Sequence, residues 1–299
     1  MCVTIAVLLP CYNEDAAIAQ TVAAFRAALP GAAIYVYDNI SSDRSIEVAR
    51  AAGAFVRSER MQGKGHVVRR MFADIDADIY VLADGDATYD ATAAPALVDR
   101  LLSEQLDMVV GARTGQNVHI PTARKPAKWV LNELANQLSG SKIPDLNSGL
   151  RVMRKETVKR FLYILPNSFS FTTTITLAML SDGRNVRYIP VDYFHRSGAS
   201  KINPIKDTVR FTQLVIRTVM YFDPLRVFIP LSLVLFLSSL MVLVYRLFTG
   251  GGLLVFGIVL FVSAIQVLTT GMLADLIDKS NARYSEINYS EATYGEVQG

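Results

Sequence analysis

The chain has 299 residues and a formal net charge of +3, and 51% of its residues are hydrophobic. This length allows one sizeable α/β domain and a smaller unit, and so slight a positive charge does not by itself indicate a nucleic-acid-binding protein. The mean hydropathy of +0.28 is high for a soluble enzyme. The excess of apolar residues lies near the C-terminus.

Cysteine usage and the N-terminal residues indicate the compartment. The two cysteines are Cys2 and Cys11, and Cys11 ends a predicted buried strand. A disulfide framework is therefore not expected, and a reducing environment fits. The apolar run at 3–9 is too short for a signal peptide and lacks a basic region before it. We therefore expect the N-terminal part of the chain to stay in the cytosol.

Apolar runs and helical patterns alternate along the first 110 residues. Short apolar runs predict strands at 3–9, 34–37, 54–56, 79–83 and 108–110. Helical spacing predicts helices at 15–29, 45–52, 66–75 and 92–103. This alternation with short connections predicts an α/β fold with a doubly wound, mostly parallel sheet. No G-x-G-x-x-G follows the first strand, which disfavours an ordinary dinucleotide site.

The most informative motif is Asp84-Gly85-Asp86, which closes the predicted strand at 79–83. Ligands of open α/β sheets bind beyond the carboxyl ends of the strands. Two carboxylates two residues apart, on backbone that a glycine lets approach closely, offer the oxygen ligands that Mg²⁺ and Mn²⁺ prefer. The motif therefore predicts a metal site that also holds substrate phosphates.

Three other strand ends carry polar, turn-forming residues, at 10–14, 38–43 and 63–65. Each cluster alone could be only a turn, because Asp, Asn, Ser and Gly favour turns for conformational reasons. Carboxyl ends of parallel strands meet at one edge of a sheet, so together with the acidic pair these clusters predict a binding crevice.

The region after residue 110 is less regular. The sequence predicts a mixed helix at 124–139 that contains Trp129, a second polar cluster at 143–153, and a strand or hairpin arm at 185–193. Residues 204–222 have an amphipathic pattern with basic residues among the apolar ones. Because long apolar stretches follow, we interpret this pattern as a helix lying on a membrane surface; the alternative is an ordinary core helix.

Two long apolar stretches, at 227–245 and 253–273, contain no charged residue. Each is long enough to cross about 30 Å of hydrocarbon, and the break at 246–252 predicts a tight hairpin. Basic residues flank the pair and place both ends in the cytosol; they are Arg210, Arg217, Arg226, Lys279 and Arg283. Two buried helices of a soluble protein are the alternative. The polar tail from residue 281 is expected to be disordered.

Seven stretches match one enzyme family in their order and spacing. They are P-C-Y-N-E (10–14), D-N-I-S-S-D (38–43), Q-G-K-G (62–65), A-D-G-D (83–86), G-A-R (111–113), D-L-N-S-G-L-R (145–151) and G-A-S-K (198–201). With them the chain resembles the family 2 inverting glycosyltransferases of the GT-A fold. More narrowly, it resembles the polyprenyl-phosphate glycosyltransferases related to dolichyl-phosphate mannose synthase and to bacterial bactoprenol glucosyltransferases. The resemblance covers residues 3–201, and the two-span tail suits the bacterial members.

Together with the apolar stretches, this resemblance implies four segments. They are a cytosolic GT-A domain at 1–203, an amphipathic juxtamembrane helix at 204–224, two transmembrane helices within 225–274 and a polar cytosolic tail at 275–299. The catalytic domain would face the cytosol from the inner (cytoplasmic) membrane. Two spans make a thin anchor, which is compatible with a homo-oligomer whose size the sequence does not fix.

The resemblance also implies roles for individual residues. Contact with the nucleotide is implied for Pro10, Tyr12, Glu14, Asp38, Asp43 and Lys64. Asp84 and Asp86 would hold the metal and the diphosphate. The acceptor phosphate would be held by Arg113, Arg151 and Lys201, with Ser200 beside them. Asp145 would lie near the sugar or the acceptor. Some relatives have a glutamine as a further metal contact where this chain has Thr88, which leaves the degree of metal dependence open.

The chemistry of sugar transfer fits these assignments. A nucleotide-sugar donor needs Mg²⁺ or Mn²⁺ to neutralise the departing diphosphate. A phosphomonoester acceptor has a second pKa of about 6, so it is anionic near neutral pH and needs positioning more than a strong base. Arginine suits bidentate phosphate capture, and Arg196 adds to the basic set; ordinary surface salt bridges are the alternative role. Residues 169–174 are hypothesised to line the acceptor entrance.

The sequence therefore predicts a membrane-anchored enzyme that transfers one sugar from a UDP- or GDP-sugar to a polyprenyl phosphate, with undecaprenyl phosphate as the expected lipid. Two alternatives remain open. One is a family 2 transferase with a glycan or diacylglycerol acceptor. The other is a non-catalytic membrane scaffold with a degenerate nucleotide fold. The sequence does not identify the sugar or the choice between UDP and GDP.

Overall fold

A computed structural model describes residues 3–115, 133, 135–137, 140–166, 171–194, 213, 215–221, 223–249 and 253–297. The chain divides into two compact units, Met1–Val215 and Ile216–Gly299. Most of the predicted helix at 124–139, most of the predicted amphipathic helix at 204–222, and Trp129 lie outside the described residues. Residues 215–221 are helical, as the amphipathic pattern predicts for them.

The first unit alternates strands and helices. Its strands are β1 (Ile5–Cys11), β2 (Ala33–Asp38), β3 (Phe55–Ser58), β4 (Ile79–Leu82), β5 (Met108–Ala112), β6 (Arg151–Arg154) and β7 (Val186–Pro190). Its α-helices with assigned bounds are α1 (Ile18–Ala28), α2 (Ser45–Ala51), α3 (Lys64–Asp74), α4 (Ala94–Ser103), α5 (Lys155–Phe161) and α6 (Phe171–Ser181). Short 3₁₀ turns, Ala91–Ala93 and Leu162–Ile164, precede α4 and follow α5.

The strands form one seven-stranded sheet in the order β3-β2-β1-β4-β6-β5-β7. The pairs among β3, β2, β1 and β4 are parallel, as is β5 with β7, and β6 runs antiparallel to both of its neighbours. The predicted GT-A-like α/β architecture is confirmed. The sequence did not predict β6, whose four residues begin and end with arginine and lack a strand-like apolar run.

The core lies between the sheet and the helices that cover it. Every residue of β4 and β5 is buried, which explains why both read as continuous apolar runs in the sequence. Helix α1 contributes Ile18, Val22 and Phe25 at helical spacing, so one face of it packs against the sheet. Burying each such side chain contributes about 1.5–3 kcal/mol.

The second unit is a pair of long helices, α7 (Leu225–Thr249) and α8 (Leu254–Val297). Segments Leu225–Phe248 and Leu254–Ile277 are long and apolar enough to cross a membrane. The hydroxyl of Ser239 donates to the carbonyl of Gly257 at 2.7 Å, and a Cβ added at Gly271 would lie 2.5 Å from Cβ of Phe228. Contacts near the middle and the far ends thus pair in opposite chain directions, and glycines allow the close packing that is common between membrane helices. The predicted hairpin is confirmed.

The prediction of a disordered tail from residue 281 is wrong, because α8 continues to Val297. Residues 272–294 contain no glycine and no proline. Helix nucleation is the unfavourable step, and here the apolar part of α8 provides the nucleus. Adding polar residues to its end then requires only propagation.

Candidate functional site

The candidate site lies at the carboxyl ends of β1 and β4, which are neighbours in the sheet. The chain leaves β1 toward β2 on one side and returns to β4 on the other, so this is the topological switch point of the sheet. At such a point the loops diverge and leave a crevice. The predicted site residues at 10–14 and 84–86 follow these two strands.

The loops after β1, β2 and β3 are tied to one another, and we call residues 12–15, 38–45 and 59–63 the N-terminal loop cluster. The backbone N–H of Asn13 donates to Oγ of Ser41 at 2.8 Å, and the N–H of Ser42 donates to Oδ1 of Asn13 at 2.8 Å. Asn13 has φ of +54°, a conformation that asparagine tolerates well. These reciprocal bonds fix the first loop against the second.

Asp43 supports the same junction. Its carboxylate accepts bonds from the N–H of Ser45 at 3.0 Å and the N–H of Asp15 at 3.2 Å, and the Ser45 hydroxyl accepts from the N–H of Glu14 at 2.8 Å. Partial burial opposes the charged form, but the bonds from Ser45 and Asp15 outweigh it and lower the pKa of Asp43. These contacts join two loops; the predicted contact of Asp43 with a nucleotide stays a prediction.

Asn39 joins the second loop to the third. Its side-chain N–H groups donate to the carbonyls of Glu59 at 3.3 Å and Met61 at 2.9 Å, and its Oδ1 accepts from the N–H of Gly63 at 2.7 Å. The side chain is thus used on both sides by backbone groups, and only an amide offers donors and an acceptor in this way. Asn39 belongs to the polar cluster at 38–43 but has no role predicted from the sequence.

Asp38 is 2% exposed, and its Oδ2 accepts from the N–H of Ser41 at 3.1 Å. Its Oδ1 is buried and has no hydrogen-bond partner among the described residues. Ile40, two positions on, has φ of +65° and is 53% exposed. A β-branched residue rarely adopts this conformation, so the loop that holds Asp38 is strained.

The acidic pair follows β4 as predicted. Asp84 forms an ion pair with Lys64, and both side chains are partly buried, with 31% and 18% exposed. Asp86 is 9% exposed, and its Oδ1 accepts from the Thr88 hydroxyl at 2.6 Å. A Cβ added at Gly85 would lie 3.2 Å from the carbonyl oxygen of Pro10, so glycine lets this loop approach the end of β1 closely.

The two carboxylates suit Mg²⁺ or Mn²⁺ chemically, since both ions prefer oxygen ligands. No group of three or more His, Cys, Asp or Glu side chains that could hold a metal occurs in the described part of the chain. An ion here would therefore take part of its coordination from substrate phosphates and water, which is the usual arrangement for Mg²⁺. The residues present fit that kind of site.

Gly149 lies directly against this pair. A Cβ added at Gly149 would fall 2.5 Å from Oδ2 of Asp84, closer than real Cβ contacts allow. The loop before β6 therefore approaches the acidic pair through backbone that has no side chain. Gly149 belongs to the matching stretch at 145–151 but has no role predicted from the sequence. Its position in the turn-forming pair Ser148-Gly149 was the available signal.

Arg113 and Asp145, both predicted site residues, form a bidentate ion pair near the end of β5. The Arg113 Nε and Nη2 donate to the two carboxylate oxygens at 2.7 and 2.9 Å, and the Arg113 backbone N–H donates at 3.1 Å. Asp145 is fully buried, and the side chain of Arg113 is 16% exposed. The guanidinium also lies 5.2 Å from the ring centre of Tyr193. We call Arg113, Asp145 and Tyr193 the arginine centre.

Burial opposes the charge of Arg113, but the neighbouring Tyr89 and Asp145 raise the pKa of this arginine well above its usual value. Arg113 is therefore a permanent cation. Two of its five N–H groups serve Asp145, so the side chain keeps donors for another anion.

The phosphate contact of Arg151 stays a prediction. Its side chain is fully buried, and it donates to the carbonyls of Leu146 at 3.0 Å and Ser148 at 2.9 Å and to the Thr176 hydroxyl at 2.6 Å. Burial lowers the pKa of Arg151 to about 10, so it remains protonated at neutral pH. These contacts favour a role in shaping the 146–148 loop from inside.

The other residues with predicted roles lie in different environments. Phe171 is fully buried, with its ring centre 5.9 Å from that of Phe72, so it does not line an entrance. Tyr12 is 36% exposed beyond the end of β1, and Pro10 and Glu14 are partly exposed beside it. Lys201, Ser200 and Arg196 lie outside the described residues.

Comparison with known proteins places these features in context. A family model described as "Glycosyl transferase family 2" matches residues 6–162, and one described as "GtrB C-terminal hairpin" matches residues 223–279. Protein RfbJ of Shigella flexneri is 56% identical over 109 residues, covering 36% of this chain and 84% of its own. The undecaprenyl-phosphate 4-deoxy-4-formamido-L-arabinose transferase of Pseudomonas paraeruginosa is 28% identical over 305 residues, covering 95% of this chain and 86% of its own.

Among solved structures, glucosyl-3-phosphoglycerate synthase from Mycobacterium tuberculosis, in complex with Mn²⁺, UDP and phosphoglyceric acid, superposes with a TM-score of 0.59. Its sequence is 21% identical, and the match covers 73% of this chain and 78% of that one. At this identity the likeness concerns the fold.

Proposed function

The chain belongs to glycosyl transferase family 2, and we propose that it transfers a single sugar from a UDP- or GDP-sugar to a polyprenyl phosphate. Undecaprenyl phosphate is the expected lipid, because the relative from Pseudomonas paraeruginosa, whose match covers 95% of this chain, carries that acceptor in its name. The hairpin match at residues 223–279 supports an acceptor that resides in a membrane. The observation that carries the proposal is the acidic pair at the switch point of the sheet.

Asp38 supports recognition of the donor base. A buried carboxylate oxygen without a partner among the described residues is costly unless a ligand supplies a donor. Uracil and guanine each have a ring N–H group beside a carbonyl. A carboxylate oxygen accepts a hydrogen bond from such an N–H. Pro10, Tyr12 and Glu14 would line the nucleotide on the β1 side, and Lys64 would face its phosphates.

Asp84 and Asp86 would hold Mg²⁺ or Mn²⁺ together with the donor diphosphate. The bound ion would neutralise charge on the departing nucleoside diphosphate. Lys64 adds a positive charge beside Asp84 and would share that task. The hydrogen bond from Thr88 fixes the orientation of the Asp86 carboxylate.

Arg113 would orient the acceptor phosphate with its remaining N–H groups, and Lys201 and Ser200 would complete that site. A phosphate oxygen attacks the anomeric carbon, forming one C–O bond while the bond from that carbon to the nucleotide diphosphate breaks. In-line displacement inverts the configuration. The acceptor is already anionic near neutral pH, so no side chain needs to remove a proton.

We infer the orientation of the two helices in the membrane from the positions of basic residues. Arg226 lies at the N-terminal end of the first candidate span, Leu225–Phe248, and Lys279 lies just beyond the end of the second, Leu254–Ile277. Positive residues favour the cytosolic side, so both ends of the hairpin and the catalytic unit would be cytosolic. A homo-oligomer would thicken the two-span anchor.

A radiolabel transfer assay tests the proposal. Purified full-length protein in detergent receives undecaprenyl phosphate, Mn²⁺ and a panel of labelled UDP- and GDP-sugars, and lipid product is extracted into organic solvent. We expect one donor to give a product that disappears with chelator. Asp86→Asn should lower the rate by about 100-fold or more, because it removes a charge where the transition state needs it.

Asp90→Asn is the matched control, since the Asp90 carboxylate accepts from the N–H of Thr92 at 2.9 Å in the same loop. It should retain most of the activity. Product formation in chelator, or a rate close to the wild-type value with Asp86→Asn, contradicts the metal role. Donor binding without lipid product points to a glycan or diacylglycerol acceptor, and no binding of any nucleotide-sugar points to a scaffold.

A further inference from the structure

Tyr89 occupies the space between the acidic pair and the arginine centre. It follows Asp86 in the same loop and is 7% exposed. Its hydroxyl accepts from the backbone N–H of Gly149 at 2.6 Å. Burial raises the pKa of Tyr89 well above its usual value, so the hydroxyl keeps its proton.

The hydroxyl of Tyr89 continues into a directed row of hydrogen bonds. Oγ of Ser148 lies 3.3 Å from the Tyr89 hydroxyl and also hydrogen-bonds to the carbonyl oxygen of Gly111. A carbonyl only accepts, so the single proton of Ser148 belongs to that bond. The proton of Tyr89 is then directed at Ser148, and the row runs from Gly149 through Tyr89 and Ser148 to Gly111.

Each end of this row meets one half of the site. At its head, the backbone of Gly149 packs against Oδ2 of Asp84. At its tail, Gly111 precedes Arg113 by two residues in β5 and the segment after it. A shift of the row would therefore move the loop that abuts the carboxylate, the strand end that leads to the arginine, or both.

The ring of Tyr89 makes the second connection. It packs edge-on against Tyr193 with ring centres 5.1 Å apart and an angle of 70°. Tyr193 is the ring on which the Arg113 guanidinium rests. Backbone also joins these segments, because Tyr89 forms a β-bridge with Tyr193 and the N–H of Phe194 donates to the carbonyl of Thr88 at 2.8 Å.

We propose that the Tyr89 hydroxyl is a positioning group that sets the separation between Asp84, which serves the donor diphosphate, and Arg113, which serves the acceptor phosphate. The inference rests on the proposed function. Transfer between two bound substrates depends steeply on the placement of the reacting atoms. Groups that hold ligand-bearing side chains in place affect affinity or rate without touching substrate themselves.

The test compares Tyr89→Phe with Tyr80→Phe in the full-length protein. Phenylalanine keeps the ring contact with Tyr193 and removes only the hydroxyl. Tyr80 is a matched control: it is fully buried in β4, and its hydroxyl donates to the carbonyl of Ile75 at 2.7 Å, away from the strand ends that form the site. Both variants remove a buried, hydrogen-bonded hydroxyl, so a lower melting temperature is expected in each.

Two quantities are measured for each variant: the affinity for UDP and GDP with Mn²⁺ by calorimetry, and kcat and KM in the transfer assay. Tyr89→Phe should weaken Mn²⁺-dependent nucleotide binding and lower kcat by about 10- to 100-fold together with it. Tyr80→Phe should leave both near the wild-type values. Ser148→Ala breaks the same row and should lower kcat in the same direction, and the double variant should lose less than the product of the two single losses.

The proposal is overturned if Tyr89→Phe and Tyr80→Phe have equal nucleotide affinity and equal kcat. It is also overturned if the fall in kcat of the Tyr89→Phe, Ser148→Ala double variant equals the product of the two single falls. If Tyr89→Phe does not fold, Ser148→Ala alone decides, and unchanged kcat and affinity in that variant overturn it. If the wild-type protein binds nucleotide but makes no lipid product, the proposed acceptor is refuted. The binding measurements on Tyr89→Phe then still test the proposed role of Tyr89. A wild-type protein that binds no nucleotide overturns both.

Discussion

The N-terminal loop cluster and the arginine centre are stabilised in different ways. In the cluster, side chains such as Asn13 and Asn39 bond to backbone groups of neighbouring loops. In the arginine centre, a fully buried carboxylate faces a guanidinium that approaches from a residue 32 positions away. The cluster therefore spreads its stability over many modest bonds, while the arginine centre concentrates it in one charged pair.

Asp145→Asn should have the largest effect. It leaves the Arg113 cation without its buried counter-charge, which costs about 3–5 kcal/mol of unfolding free energy for a pair of this kind. Denaturant unfolding of the purified protein in detergent measures the loss. The control is Glu47→Gln, whose partner Arg44 is exposed, and it should change little. Similar small losses of unfolding free energy in both variants would show that the arginine centre does not concentrate its stability in this ion pair.

Gly149→Ala should come next, and it acts on activity more than on stability. The new methyl group would lie 2.5 Å from the Asp84 carboxylate, so the carboxylate or the loop must move. We expect Mn²⁺-dependent activity to fall by about 10- to 100-fold. Gly31→Ala is the control, because nothing lies within 4 Å of a Cβ added there. An unchanged rate in Gly149→Ala would show that the carboxylate has room to shift.

Asn39→Asp tests how the N-terminal loop cluster is stabilised. The change keeps the shape but replaces two N–H donors by an oxygen that faces the carbonyls of Glu59 and Met61. Asn39 is 5% exposed, so the new carboxylate would be buried facing two carbonyls without a donor for this oxygen, which costs about 1–3 kcal/mol. Loosened loops should also raise KM for the nucleotide-sugar while kcat changes less. A larger fall in kcat than rise in KM would mean that the cluster contributes to the chemical step.

Ile40→Asn should have the smallest effect, and it should be stabilising. Isoleucine at φ of +65° is strained, and asparagine adopts this conformation readily. We expect a gain of about 1 kcal/mol in unfolding free energy, because the side chain is 53% exposed and loses little burial. Ile40→Val retains the branched side chain and should show no gain. A loss in Ile40→Asn would mean that the apolar side chain has a contact that offsets the strain.

The same contrast explains what the sequence could predict. The clusters after β1, β2 and β3 are local, so turn-forming residues at strand ends located them. The two apolar helices at the C-terminus could be predicted in the same way, because each contains a continuous apolar stretch long enough to cross a membrane. Such features are properties of short segments.

The features that were missed depend on distant residues. Burial of Arg151 is set by Thr176 and by the carbonyls of its own loop, and no local pattern separates an internal arginine from a phosphate-binding one. The hydroxyl of Tyr89 meets Gly149, 60 positions along the chain. Strand β6 pairs with β4 and β5 although its sequence is short and ends in charge. Each of these requires the tertiary fold.

The hydrogen-bond row through Tyr89 and Ser148 cannot conduct protons. Conduction along hydroxyl groups requires every bond in the row to reverse its direction in turn. A backbone N–H at the head can only donate, and the carbonyl of Gly111 at the tail can only accept, so both hydroxyls have a single permitted orientation. The row therefore provides no path along which a proton could pass between the two halves of the site.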